Sequence, residues 1–180
     1  MIDLNHQLKF HEQVAVLVDV ALQAENATRE KRRYLGGSRL GVACERALQF
    51  EYADAPVDVG AEFPGRTLRI FEVGHALEDL AIRWLRLAGF DLYTRRKDGE
   101  QFGFSVADGR IQGHLDGVIA NAPSDLGLKF PMLWECKTMN DKNFKACSSR
   151  GVELTQPVYW VQVHVGMHLA GLDRALFLAV

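Results

Sequence analysis

Asp116 and the triplet Glu135-Cys136-Lys137 stand in two apolar runs, IQGHLDGVIAN and FPMLWECKTM, where charged side chains are out of place. Side chains alternate along a strand, so Glu135 and Lys137 share one face and Cys136 points to the other. The intervening loop holds Asn121, Pro123, Ser124 and Gly127, and if the two runs pair as a hairpin Asp116 joins them at one edge. Two carboxylates and an amine in so small a volume are costly unless they bind a metal or pair with one another. Carboxylates with a water or phosphate oxygen suit a hard cation such as Mg²⁺ or Mn²⁺. Such a cation polarises a phosphodiester and lowers the pKa of bound water, and a neighbouring lysine can position or deprotonate that water. The plainer reading is a surface hairpin with a Glu/Lys ion pair, and an acid-x-Lys triplet alone does not separate the two.

The flanking chain must supply the elements that hold this hairpin. Residues 8–34 carry Val14, Val16, Leu17, Val20 and Leu22 roughly at helical spacing, which predicts one or two helices with a solvated second part. The basic run Arg29, Lys31, Arg32, Arg33 is either a solvated face balanced by Glu25 and Glu30 or an edge that contacts phosphates. After Gly36-Gly37, Ser38 is a good N-cap for a helix through residue 53, with Leu40, Val42, Ala43, Ala47 and Leu48 as its buried stripe. Arg39 and Arg46 then fall near one face, either pairing with Glu45 or Glu51 or donating to phosphates beside the helix N-terminus.

Residues 53–66 read as a loop, and from Thr67 an apolar stripe predicts a helix closed by Gly89, with His75 and Glu78 one turn apart. Asp98-Gly99 and Asp108-Gly109 are hairpin signals, and Arg95, Arg96 and Lys97 make a second basic run near a strand end. A short helix or ordered loop follows at 141–151. A largely apolar helix then has Pro157 in its first turn and Gln162 and His164 as polar exceptions. The closing ALFLAV predicts a strand with no turn after it, as in a truncated chain or one that needs a neighbour there. This order predicts an α/β fold, a mixed β-sheet flanked by helices.

With 180 residues the chain is read as a single domain able to bury a core. A net charge of -2 gives no global basic excess, so contact with nucleic acid must rest on local patches. No apolar run approaches the roughly 20 residues of a membrane span, and the N-terminus lacks the layout of a signal peptide. Cys44, Cys136 and Cys147, with no CxxC pair among them, predict reduced thiols in a cytoplasmic protein.

The ordered set Gly74-x3-Glu78, Gly113-His114-Leu115-Asp116-Gly117, Glu135-Cys136-Lys137 and Tyr159-x2-Gln162 resembles the PD-(D/E)XK nuclease superfamily, most of all its RecB-like and lambda-exonuclease-like (YqaJ-type) exonucleases. The resemblance covers residues 36–180 and leaves 1–35 as an N-terminal helical extension. It implies a restriction-endonuclease-like core and a Mg²⁺-dependent deoxyribonuclease, with Mn²⁺ substituting, that acts on DNA ends in recombination, repair or phage DNA processing. Asp116 and Glu135 match the motif carboxylates, Lys137 the motif lysine, and Tyr159 and Gln162 the helix that follows. Glu78 matches the acidic residue of the first core helix; many relatives have histidine there, and His75 lies one turn earlier, so either is the helix ligand.

Ser38, Arg39 and Arg46 resemble the serine/arginine element that the family places near the DNA end, with Arg95, Arg96 and Lys97 as further phosphate contacts. Relatives with an iron–sulfur cluster use four cysteines; three here imply no cluster, and Cys44 is expected as a small buried hydrophobe. The implied partners are DNA and either further copies of the chain or a recombination protein, with no membrane, in a bacterial or phage-encoded cytoplasmic protein. The alternatives are a non-cleaving DNA-binding or assembly module with the same fold, and a restriction-type endonuclease.

Overall fold

The computed structural model describes residues 8–123 and 126–180; Ser124 of the hairpin loop lies outside them. The chain divides into two compact units, residues 1–32 with 57–75, and residues 33–56 with 76–180.

In the first unit a single helix, α1 (Phe10–Thr28), starts where Glu12 accepts the Lys9 N–H at 2.6 Å. The first turns of a long helix, α3 (Gly65–Leu87), belong to the same unit. A Cβ on Gly65 would run into the Asp19 backbone, so the two helices touch there without side chains between them. Arg69 Nε lies 3.0 Å from Asp19 Oδ1, and Gln23 Nε2 donates to the Phe63 carbonyl at 3.3 Å. The helical spacing of Val14, Val16, Leu17 and Val20 holds, yet these side chains are exposed and α1 buries none.

The second unit is an α/β body with two mixed sheets where one was expected. Strand β1 (Leu35–Gly36) runs parallel to β4 (Ile111–His114), which pairs antiparallel with β3 (Gly103–Val106). The other sheet has the order β2 (Leu92–Tyr93), β5 (Gly117–Ile119), β6 (Met132–Lys137), β7 (Ala175–Ala179). Its first two pairings are antiparallel and β6–β7 is parallel. The apolar run around Asp116 thus forms two short strands in different sheets, and Asp116 sits where the chain passes from one to the other. The hairpin between that run and the Glu135 strand is present, with Gly117 opposite Trp134.

Turn chemistry accounts for the short connections. Arg110 N–H donates to Ala107 O at 3.0 Å around Asp108 and Gly109, whose φ of 53° and 81° are the left-handed values that an Asp-Gly hairpin turn supplies. Asp98-Gly99 closes only an isolated bridge, Arg95 with Gln101. Gly89, at φ 87°, ends α3 as expected.

The helix expected from Ser38 does not form there. Gly37–Arg39 make one 3-10 turn, and the helix α2 spans only Glu45–Tyr52. A Cβ on Gly41 would lie 2.6 Å from Val158 Cα, so residues 37–42 are pressed onto a later helix and follow its surface. That packing overrides the N-cap preference of Ser38. Arg39 and Arg46 consequently share no helix. Cys44, expected to be buried, is exposed as the residue before α2.

Three helices follow β6: α4 (Asp141–Arg150), capped by Asn140 accepting from the Asn143 N–H, the single turn α5 (Val152–Thr155), and α6 (Pro157–Ala170), with Pro157 in its first turn. Six α-helices are thus present among the described residues, and none is long and apolar enough to cross a membrane.

Strand alternation divides the core in two. Met132, Trp134 and Cys136 pack with Ala81, Leu92 and Ile119, while Leu133 packs on the other face with Leu115 and Val163.

Candidate active site

Glu135 is 1% exposed, the only charged residue in the buried set among the described residues. It reaches that position because β6 is flanked on both edges, and its own parity turns it to the Leu133 face, under α6. A Cβ on Gly166 would lie 2.9 Å from Leu115 Cδ2, so α6 approaches the sheet backbone-first. One turn earlier on the same helix, Gln162 Nε2 donates to Glu135 Oε1 at 2.5 Å. Lys137, two residues along β6 on the same face, donates to that same oxygen at 2.5 Å. Its Nζ also stands 5.5 Å from the centre of the Tyr159 ring, which leans on Phe177, the residue opposite Glu135 in β7. Lysine, amide and aromatic ring therefore converge on one carboxylate from β6 and α6.

Asp116 joins from the hairpin. Its Oδ2 accepts the backbone N–H of Cys136 at 2.8 Å, which ties the sheet switch to the middle of the acid-x-Lys triplet. The Cys136 side chain faces the core, as strand parity requires. Glu78 comes from α3, at helical spacing from Ala81, Ile82 and Leu85, which pack on the core under Trp134. That stripe explains why Glu78 is half-buried while its neighbour Asp79 is exposed.

The electrostatics mark these groups as one cluster. Burial pushes Glu78 up to about 7, with Asp116 raising it further and Lys137 opposing. Burial also pushes Glu135 up to about 7 against the pull of Lys137, with Asp116 and Glu78 adding repulsion. The Cys136 thiol rises to about 11 through burial and then through Asp116 and Glu78. For Lys137 burial acts downward, but Glu135 and Asp116 outweigh it and its pKa is raised, so it is an ammonium.

Among the expected residues, Asp116, Glu135, Lys137, Tyr159 and Gln162 are linked by hydrogen bonds or ring contact through β6, and Glu78 is coupled to them electrostatically. His75, the other candidate helix ligand, belongs to the first unit and is exposed. Arg39 forks onto Glu51, with Nη2 to Oε1 at 2.7 Å and Nε to Oε1 at 2.9 Å, the pairing that stood as the alternative to phosphate contact. Ser38 and Arg46 are exposed. Arg95 and Arg96 brace their own turn by donating to Gly99 O and Gly103 O, both at 2.9 Å, and Lys97 is exposed within it. The backbone N–H of Cys136 was not legible as a partner for Asp116; only the hairpin register reveals it.

Among the described residues no three His, Cys, Asp or Glu side chains stand together closely enough to hold a metal ion as they are placed. Gln162 Oε1 is buried without a hydrogen-bond partner, so the cluster carries one unsatisfied acceptor beside its carboxylates. Comparison with protein-family models, with curated proteins and with solved structures finds no match for this chain.

Proposed function

We propose that the chain is a metal-dependent DNA nuclease of the PD-(D/E)XK kind, hydrolysing phosphodiester bonds from DNA ends on a restriction-endonuclease-like core. The observation that carries this reading is the convergence of Glu135, Lys137 and Gln162 at one oxygen, with Asp116 and Glu78 coupled to them electrostatically. The element order supports the core assignment: helix α3, the Asp116 strands, the acid-x-Lys strand, helix α6, then β7 parallel to β6.

The donor set fits a hard dication in type. Glu78 and Glu135, raised by burial and by the charge of Asp116, gain from a nearby dication, and Gln162 leaves an unpartnered amide oxygen beside them. Glu78, Asp116 and Glu135 would hold Mg²⁺ or Mn²⁺, which supplies a polarised phosphodiester and a more acidic water. The chain's own groups do the rest. Lys137, fixed by Glu135 and the Tyr159 ring, orients the attacking water and stabilises charge on the phosphate oxygens. Gln162 holds the Glu135 carboxylate and offers Oε1 to a water proton. Asp116 is aimed by the Cys136 N–H. DNA is then the partner, with further copies of the chain or a recombination protein assisting at the end, in the cytoplasm.

A non-cleaving DNA-binding module is the second reading, favoured by the absence of an assembled three-ligand set among the described residues. Incubation with linear and with closed circular DNA, in Mg²⁺ and in Mn²⁺, separates the readings. Nucleotides released from linear DNA alone support the exonuclease. Cut circles support a restriction-type endonuclease, and binding without cleavage the module.

A further inference from the structure

We propose that Arg33, Arg39 and Arg110 form a duplex-DNA contact surface whose phosphate positions are occupied by the Glu51 and Asp54 carboxylates until DNA displaces them. The inference rests on the DNA reading for the identity of the polyanion.

Three arginines from three separate segments converge on the C-terminal end of α2. Arg33 Nε lies 2.8 Å from Asp54 Oδ2. Arg39 forks across both Glu51 oxygens, and the Arg110 guanidinium stands 5.4 Å from the centre of the Tyr52 ring. The Arg39 fork on a carboxylate is the geometry that a guanidinium offers to two phosphate oxygens. Arg33 and Arg39 are held by carboxylates, whereas Arg110 lies against a neutral ring.

The pairs are open to exchange. Side-chain exposure is 79% for Arg33 and 39% for Asp54, and 42% for Arg39 and 34% for Glu51. The exposed Arg33–Asp54 pair contributes little stability and is screened by salt, while the two-pronged, half-buried Arg39–Glu51 pair is the firmer of the two. A phosphate backbone competes well against them because it also releases counterions.

The cluster is also fastened to the candidate active site. Leu35 N–H donates to Arg110 O at 2.9 Å, joining the Arg33 and Arg110 segments through β1 and β4. A Cβ on Gly37 would lie 2.8 Å from the Phe104 ring, and one on Gly41 2.6 Å from Val158 Cα. Arg39 is therefore carried on a segment seated against the first turn of α6, whose next residues are Tyr159 and Gln162.

The test is anisotropy titration of a short labelled blunt duplex with the full chain in EDTA, as a function of salt. Arg33→Ala with Arg110→Ala is expected to reduce the slope of log affinity against log salt by about two. Glu51→Gln with Asp54→Asn is expected to tighten binding about three- to tenfold at low salt. Asp141→Asn with Asp173→Asn opens two other surface ion pairs and makes the same charge change; it is expected to alter binding little.

An unchanged slope in the arginine variant, equal tightening by both acid variants, or no duplex binding by the native chain overturns the proposal. If the arginine variant fails to fold, the two acid variants decide the matter. Duplex binding with the expected slopes but no nucleotide release in Mg²⁺ or Mn²⁺ overturns the nuclease reading and leaves the surface standing. Nucleotide release with an unchanged slope does the reverse.

Discussion

Lys137 Nζ and Glu135 Oε1 lie 2.5 Å apart on one face of β6, with the carboxylate buried and the lysine side chain 20% exposed. The asymmetry decides the consequences of mutation. Removing the lysine strands a buried carboxyl, whereas removing the carboxylate lets the ammonium turn to water. Lys137→Ala is expected to destabilise the chain by about 1–3 kcal/mol. Adding Glu135→Gln should recover part of that loss, as groups in one network are not additive. Urea unfolding of the two single variants and the double variant measures this, and strict additivity would show that the pair is not coupled.

Glu78 and Glu135 set a pH dependence. The folded chain retains protons on them up to about 7, above their ordinary 4.5, whereas the unfolded chain releases those protons near 4.5. Their contribution to stability is therefore fully present below 4.5 and is lost as pH rises through about 7. Glu78→Gln, always neutral, should raise Tm in EDTA above the native value on the alkaline side of this window and leave it nearly unchanged on the acid side. Melting curves across the window check the sign; a benefit confined to acid pH would reverse the assignment.

Cation binding should run the other way with pH, since carboxylate ligands must lose their protons first. Mn²⁺ is expected to raise the native Tm more strongly above pH 7 than below it. Asp116→Asn keeps an oxygen for the Cys136 N–H but loses the charge, so it should fold normally and lose most of the Mn²⁺ shift. A full shift in this variant would remove Asp116 from the ligand set.

The seating of residues 37–42 on α6 gives a packing prediction. Gly41→Ala puts a methyl against Val158 Cα, backbone that cannot give way cheaply. A loss of about 1–3 kcal/mol is expected, read by urea unfolding, with weaker duplex binding as Arg39 shifts. An unperturbed Gly41→Ala would show that the segment is loosely held.

These contacts show which parts of the fold the sequence could disclose. Alternation along β6 told that Glu135 and Lys137 share a face with Cys136 opposite, because period two is a local property of a strand. Pro157, Gly89 and Asp108-Gly109 marked a helix start, a helix end and a hairpin turn, because their backbone preferences are local too. That no helix starts at Ser38 was not legible, since the contact that prevents it, Gly41 on Val158, joins residues far apart in the chain. The split of the Asp116 run between two sheets was hidden for the same reason. Glu78 and His75 stood level as candidate helix ligands, and the packed face of Ala81 and Leu85 is what leaves Glu78 half-buried and His75 exposed. Tertiary pairing alone shows Arg39 held by Glu51.

The most direct test of the central claim is nucleotide release from linear DNA in Mg²⁺, comparing the native chain with Lys137→Ala held below its melting temperature. Steady release by the native chain, with a loss of at least about a hundredfold in the folded variant, is predicted. No release by the folded native chain, or equal release by both, would overturn the assignment of Lys137 and its neighbours to a nuclease site.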